Sequence, residues 1–194
     1  MKRIAIFASG SGSNAEKIAD YFAGSTDVSI ELIVSNNPKA GVIDRARRLH
    51  IPVLLFDRPT FYQTDRITHL LQQQGIDLIV LAGFMWLMPA GLVQAFPDRI
   101  VNIHPALLPK FGGKGMYGHF VHEAVVAAQE TESGITIHFV NEHYDEGAPI
   151  FQAHCPVTPT DTPDDVARKV QSLEHDHYPR VVAEVLATLP PRHP

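Results

Sequence analysis

"RIAIFASGSGSN" (residues 3–14) runs from an apolar, β-branched stretch straight into two glycines set among small polar residues. Strand, glycine-rich turn, then helix is the order by which an α/β sheet gathers unpaired backbone N–H groups at one point. Gly10 and Gly12 permit positive φ and close approach of a ligand, while Ser11, Ser13 and Asn14 add donors. No Gly-Lys-Ser/Thr ends the loop, so it is not a Walker loop, and Ala15 replaces the third glycine of a dinucleotide fingerprint. The next strand ends "IVSNN", without the acidic residue that would hold a dinucleotide ribose. The loop reads as a cradle for a monophosphate, with a plain tight turn as the alternative.

Outward from this stretch, strands and helices alternate. Strands are expected at 3–9, 29–36, 52–57 and 77–84, and helices at 15–23, 40–50 and 60–75, the last with Ile67, Leu70 and Leu71 on one side. "DLIVLAGF" is a nearly continuous apolar run, as in a strand covered on both faces. The rhythm predicts an α/β fold: a Rossmann-like, mostly parallel twisted sheet with helices on both faces. After Phe84 the pattern changes: a short helix over 85–96, a strand over 100–109 and a glycine-rich loop over 110–118. A helix over 119–130, two strands around a loop within 134–157 and a long capped helix from Thr162 follow. No repeat or linker interrupts the chain, so 1–194 reads as a single domain. Its first half binds the phosphate, its second half carries the chemistry, and 188–194 forms a loose tail.

Bulk properties narrow the function. The 194 residues are 45% hydrophobic and 19% charged, with a formal net charge of −5, which offers no general basic surface for nucleic acid. Cys155 alone excludes an internal disulfide framework and fits a reducing, cytoplasmic setting. No apolar run approaches the roughly 20 residues needed to span a membrane, and no secretory core follows Met1. The chain carries 11 histidines, the side chain most easily switched near neutral pH, so their neighbours matter.

Polar groups cluster where apolar sequence leads up to them. Asn102 and His104, at i and i+2 in "VNIHP", share one face of a strand, His138 sits in "GITIHFV", and Asp145 follows in "NEHYDEG". An amide to hold a carbonyl oxygen, an imidazole to move a proton and a carboxylate to favour the charged imidazole form a plausible catalytic set. Taken singly, each also reads as a structural residue: a satisfied buried histidine, a bend support, a turn aspartate. His104, His138 and Asp145 would also compose a two-histidine, one-carboxylate metal set, but no H-x-x-x-H or H-E-x-x-H spacing accompanies them, so no metal is assigned.

"FASGSGSN", "LAGFMWLMP", "NIHPALLPKF" and "GITIHFVNEHYDEG", in this order and separation, closely resemble the family of phosphoribosylglycinamide formyltransferases, over about residues 1–186. The resemblance implies transfer of a formyl group from the co-substrate 10-formyltetrahydrofolate to the amine of glycinamide ribonucleotide (GAR) in purine biosynthesis, by a monomer or homodimer. It implies that Asn102, His104 and Asp145 are the catalytic trio and that His138 assists it. Gly12, Ser13 and Asn14 would grip the phosphate of GAR, and Glu174 its ribose hydroxyls. Met85, Trp86, Leu87 and Met88, with Asn102, Val140, Asn141 and Glu142, would line the folate pocket. Trp86 stands where relatives often carry arginine, Thr60 aligns where another arginine meets the folate tail, and "FGGKGMYGH" replaces a more common "PGLHTH"-like loop. These departures bear on tail recognition. Three alternatives stand beside this reading: a formyltetrahydrofolate hydrolase, a methionyl-tRNA formyltransferase and a non-catalytic nucleotide-binding module. The first has no use for a phosphate loop, the second adds a basic domain for tRNA, and the third has no use for the trio.

Overall fold

Alternate residues of β1 (Lys2–Phe7) enter opposite cores: Ile4 and Ile6 pack with one set of helices, Ala5 and Phe7 with the other. The computed structural model describes residues 1–190, and within them β1 pairs in parallel with β2 (Val28–Ser35) and β4 (Leu78–Leu81). β3 (Val53–Leu55) and β5 (Ile100–His104) extend the sheet in parallel, while β6 (Glu132–Phe139) and β7 (Pro149–Pro156) finish it antiparallel. The described strands form one sheet in the order β3-β2-β1-β4-β5-β6-β7. β4 repeats the alternation of β1, with Leu78 and Val80 on one side and Ile79 and Leu81 on the other. The layered α/β architecture expected from the alternating pattern is present.

One face of the sheet is covered by α1 (Ser13–Tyr21), α2 (Val42–Arg48), α6 (His119–Ala127) and α7 (Pro163–Thr188), the other by α3 (Arg58–Gln63), α4 (Arg66–Gln73) and α5 (Ala90–Ala95). The long helix starts as expected: Thr162 and Asp165 form a reciprocal capping box with Pro163 in the first turn. It is pinned to the sheet by the fully buried Tyr178, whose hydroxyl donates to Leu81 O at 2.9 Å.

Three element boundaries differ from the sequence reading. The expected helix over 60–75 is two helices, because Thr64 adopts an extended backbone and turns its hydroxyl back onto Thr60 O, ending α3 before Asp65 starts α4. The expected helix over 85–96 begins only at Ala90; Pro89 restricts Met88 to extended geometry, which frees residues 85–88 to form a loop. The expected tail starts later than 188. Thr188 closes α7, and the carbonyls of Leu189 and Pro190 accept from Lys2 Nζ at 3.0 and 3.3 Å, with Arg99 Nη2 on Pro190 O at 2.8 Å. Residues 191–194 of that tail lie outside the described residues.

β2 and β4 flank β1, and the connections leave it in opposite directions, so a crevice opens at the carboxyl ends of β1 and β4. β5 ends beside it. The segment after β5 is fixed by the buried Thr136 of β6, which donates to Ala106 O at 2.7 Å and accepts from Leu108 N at 3.0 Å and Gln152 Nε2 at 2.8 Å.

Candidate active site

A cleft of about 850 Å³ lies at those strand ends. Its floor is the β1–α1 loop and the ends of β4 and β5; its walls are α7, the first turns of α6, and the loops around Lys114 and Asp145. Among the described residues, no group of three or more His, Cys, Asp and Glu is arranged to hold a metal ion, and no helix is long and apolar enough to cross a membrane.

Gly12 adopts φ 79° and starts α1 with no side-chain cap, so the first-turn N–H groups face the cleft. A Cβ at Gly12 would sit 2.5 Å from Val42 Cβ; the glycine is thus required by the packing of the loop on α2 as well as by its dihedral. Arg45 Nε donates to Ser11 O at 2.8 Å and braces the loop from behind. Asn14 Nδ2 donates to Glu174 Oε2 at 2.8 Å, which ties α1 to α7, while Asn14 Oδ1 is buried without a partner. Burial raises the Glu174 pKa above its usual 4.5, and the Asn14 bond opposes the shift. Gly12, Ser13, Asn14 and Glu174, separated by 160 residues of chain, meet in this end of the cleft.

The other expected set comes from two paired strands. Asn102 lies opposite His138, and His104 opposite Thr136, in the β5–β6 register. His138 Nδ1 lies 2.8 Å from Phe139 O and its Nε2 3.1 Å from Asn102 Nδ2. A carbonyl only accepts, so Nδ1 carries the proton. Burial lowers the His138 pKa from its usual 6.5, so the ring is neutral at pH 7 and Nε2 accepts from the Asn102 amide. One amide N–H of Asn102 remains for the cleft.

Asp145 sits in the left-handed region at φ 57°, a conformation aspartate tolerates better than most residues. Its Oδ1 lies 3.5 Å from His104 Nδ1 and 3.8 Å from His138 Nε2, and its Oδ2 accepts from Gly113 N at 2.9 Å. His104 Nε2 lies 2.7 Å from Phe111 O. Both nitrogens of His104 therefore face acceptors, the arrangement a doubly protonated imidazolium satisfies. The Nε2 position of this ring, expected to move a proton, is here held by the Phe111 carbonyl. The cause is the 110–118 segment, whose Phe111 also takes a positive φ of 54° and folds back over the strand end.

Met85, Trp86, Leu87, Met88, Asn102 and Val140 line the cleft; Asn141 and Glu142 do not. Asn141 Oδ1 turns onto His143 N, and Glu142 accepts from Gln94 Nε2 at 2.9 Å on the outer surface. Sequence reasoning missed Tyr117, His119, His122 and Gln171 as lining residues. The α7 stripe Asp164, Ala167, Gln171, Glu174 was visible as i, i+3, i+4 spacing; the loop and α6 residues carried no such signal. Trp86 packs on Phe56 and Phe61, each 5.8 Å away by ring centroid, and Arg58 lies 5.5 Å above it and 5.3 Å above Tyr62. Arg58 thus brings a positive charge beside Trp86, outside the cleft lining.

A helix-start cradle for an anion, joined to a buried amide–imidazole–carboxylate set in one cleft of a switch-point α/β sheet, defines an enzyme acting on small molecules. Residues 2–182 match the formyl transferase family, and the chain belongs to that family. It is 44% identical over 190 residues to a chloroplastic phosphoribosylglycinamide formyltransferase from Arabidopsis thaliana, covering 95% of this chain and 65% of that relative, so the chain spans less than two thirds of the plant relative's length. It is 38% identical to the phosphoribosylglycinamide formyltransferase of Bacillus subtilis, over 96% of this chain and 95% of the relative. The structure of glycinamide ribonucleotide transformylase 1 from Geobacillus kaustophilus superposes with a TM-score of 0.86 at 36% identity, covering 96% of this chain and 99% of that one.

Proposed function

We propose that the protein transfers the formyl group of 10-formyltetrahydrofolate to the amine of GAR. The observation that carries this reading is one cleft holding the Gly12–Asn14 helix start and Glu174 at one end and Asn102, His104, His138 and Asp145 beside it. The phosphate of GAR occupies the start of α1, where free N–H groups and the helix dipole favour negative charge. Ribose hydroxyls donate to Glu174 and to the unpartnered Asn14 Oδ1.

The amine attacks the formyl carbon and negative charge gathers on the formyl oxygen. The free amide N–H of Asn102 donates to it; loss of one such donor costs about 2.7–4 kcal/mol in comparable acyl-transfer sites. His104 adds its Nε2–H once the Phe111 carbonyl gives way, with Asp145 holding the positive charge on the ring. The bond from the formyl carbon to the folate nitrogen then breaks, and the one proton the amine gives up passes by way of the Asp145 carboxylate to that departing nitrogen. No covalent intermediate is needed, because juxtaposing two bound substrates supplies much of the acceleration. Met85–Met88 and Val140 flank the pterin, and Arg58, with Trp86 beneath it, meets the anionic tail. The lone cysteine, Cys155, suits the reducing cytoplasm.

The test is isotope transfer by the purified protein. Label from 10-formyltetrahydrofolate should appear on GAR. Label recovered as free formate would indicate the hydrolase, label on methionyl-tRNA the tRNA enzyme, and binding without turnover the module.

A further inference from the structure

Three buried histidines line the cleft: His104, His122 and His138, exposed by 3%, 6% and 2%. Two of them are fully committed. His104 reaches Phe111 O and Asp145, and His138 reaches Phe139 O and Asn102. His122 is not: Nδ1 is enclosed without a partner, and neither ring nitrogen makes a hydrogen bond to any described residue. An unpaired buried polar group costs roughly 1–3 kcal/mol, so a fold keeps one at no benefit only where it faces nothing. His122 faces the cleft.

Its place in the fold narrows what it meets. One turn earlier on α6, His119 Nδ1 approaches Asp164 Oδ1 of the first turn of α7 at 3.7 Å, and Ala167, Gln171 and Glu174 of that helix line the same cleft as His122. His104 of the reacting centre lines the same cleft. The ribose anchor Glu174 and the reacting centre at Asn102, His104 and Asp145 thus open onto the same cleft as His122. Burial, reinforced by His119 and His104, drops its pKa from 6.5 to about 4, which leaves a neutral ring with one donor and one acceptor at physiological pH.

We propose that His122 is a binding residue for the acyl acceptor, its uncommitted imidazole hydrogen-bonding the amide- and amine-bearing arm that links the ribose to the formyl carbon. This rests on the GAR reading of the cleft. No proton need pass through His122; it orients the arm through Nε2, the ring nitrogen that is neither enclosed nor hydrogen-bonded to a described residue.

The experiment compares wild type, His122→Leu and His122→Gln by calorimetric binding of GAR and of a folate separately, by steady-state kinetics, and by melting of the ligand-free protein. The expected result is a Kd for GAR raised roughly tenfold in the Leu variant, the loss of about one neutral hydrogen bond. Folate binding should be unchanged, the ligand-free melting temperature no lower than wild type, and GAR affinity largely restored by Gln. A Leu variant that binds GAR as tightly as wild type overturns the assignment. So does one that weakens both ligands equally, or melts earlier with no rescue by Gln, since either outcome marks a packing role. Wild type that neither binds nor formylates GAR removes the reading of the cleft itself, and this assignment with it.

Discussion

Asn102 and His138 face each other across two antiparallel strands, 3.1 Å apart from amide nitrogen to ring nitrogen, and this pairing orients the amide. The Phe139 carbonyl fixes the imidazole tautomer, the tautomer makes Nε2 an acceptor, and the acceptor turns the Asn102 NH₂ rather than its oxygen toward the ring. The remaining N–H is left free at a residue that lines the cleft, and on the proposed mechanism it meets the acyl oxygen. His138→Phe should keep the strand pairing but release the amide to rotate, lowering kcat by about tenfold with a smaller change in either KM. Unchanged kcat would remove His138 from the positioning of Asn102.

His104→Ala and Asp145→Asn should each reduce turnover by roughly tenfold or more, with circular dichroism close to wild type. The Asp145 variant keeps an acceptor for the Gly113 N–H, which makes it the cleaner test of the charge facing His104. Wild-type rates in either variant would exclude that side chain from the chemistry.

The phosphate end is better probed at Ser13 than at Gly12. Ser13→Asp places a like charge at the start of α1 and should raise the KM for GAR by about tenfold while sparing the folate. Gly12→Val forces a side chain into Val42 and should lower the melting temperature as well. Equal effects of Ser13→Asp on both substrates would count against a phosphate at this loop.

Arg58→Ala should weaken binding of folates bearing several glutamates more than those bearing one, and added salt should erase the difference, because a cation at the rim acts through charge. A uniform loss that persists at high salt would indicate that Arg58 only packs against Trp86.

The stability profile with pH should bend in two directions. His122 and His138 have folded pKa values below their unfolded 6.5, so the unfolded chain binds more protons as pH falls; the stability they contribute is complete above pH 6.5 and is lost as pH falls through the folded values, about 4 for His122. Glu174 is the reverse. Its raised pKa adds stability that is complete below pH 4.5 and lost as pH rises through the folded value, so Glu174→Gln should melt higher than wild type at neutral pH while binding GAR more weakly. Chemical denaturation across pH 4–8 would show both, and an unaltered melting temperature in the Gln variant would contradict the burial of that carboxylate.

How much of this was readable without coordinates depends on the range of the signal. The β1 alternation and the "SGSGSN" turn are local, so the layered sheet and a glycine turn leading into a helix could be read from them directly. Asn102 and His104 stood out as polar residues on an apolar strand, and the family likeness matched them to Asp145, His138 and Glu174. Periodicity alone ran through Thr64 and Pro89, because a hydroxyl bonding back to the main chain and the constraint on a pre-proline residue override apolar spacing. Arg58 was invisible as a partner of Trp86 because its nearness to that ring is created by folding across 28 residues, and His122 looked like any core residue of an apolar helix. The Phe111 carbonyl on His104 depends on how a glycine-rich segment folds back, which residue type does not encode.

Lys2 and Arg99 clasp the end of α7 at the amino ends of β1 and β5, while the Gly12 loop lies past the carboxyl end of β1, about 20 Å along that strand, and Asn102 and His104 occupy the middle and carboxyl end of β5. The polypeptide thus begins and finishes its described course at neighbouring points on the pole remote from the cleft. New ends could be cut elsewhere and the old ones joined by a short peptide, or the whole unit grafted into a longer protein, with the catalytic pole left untouched.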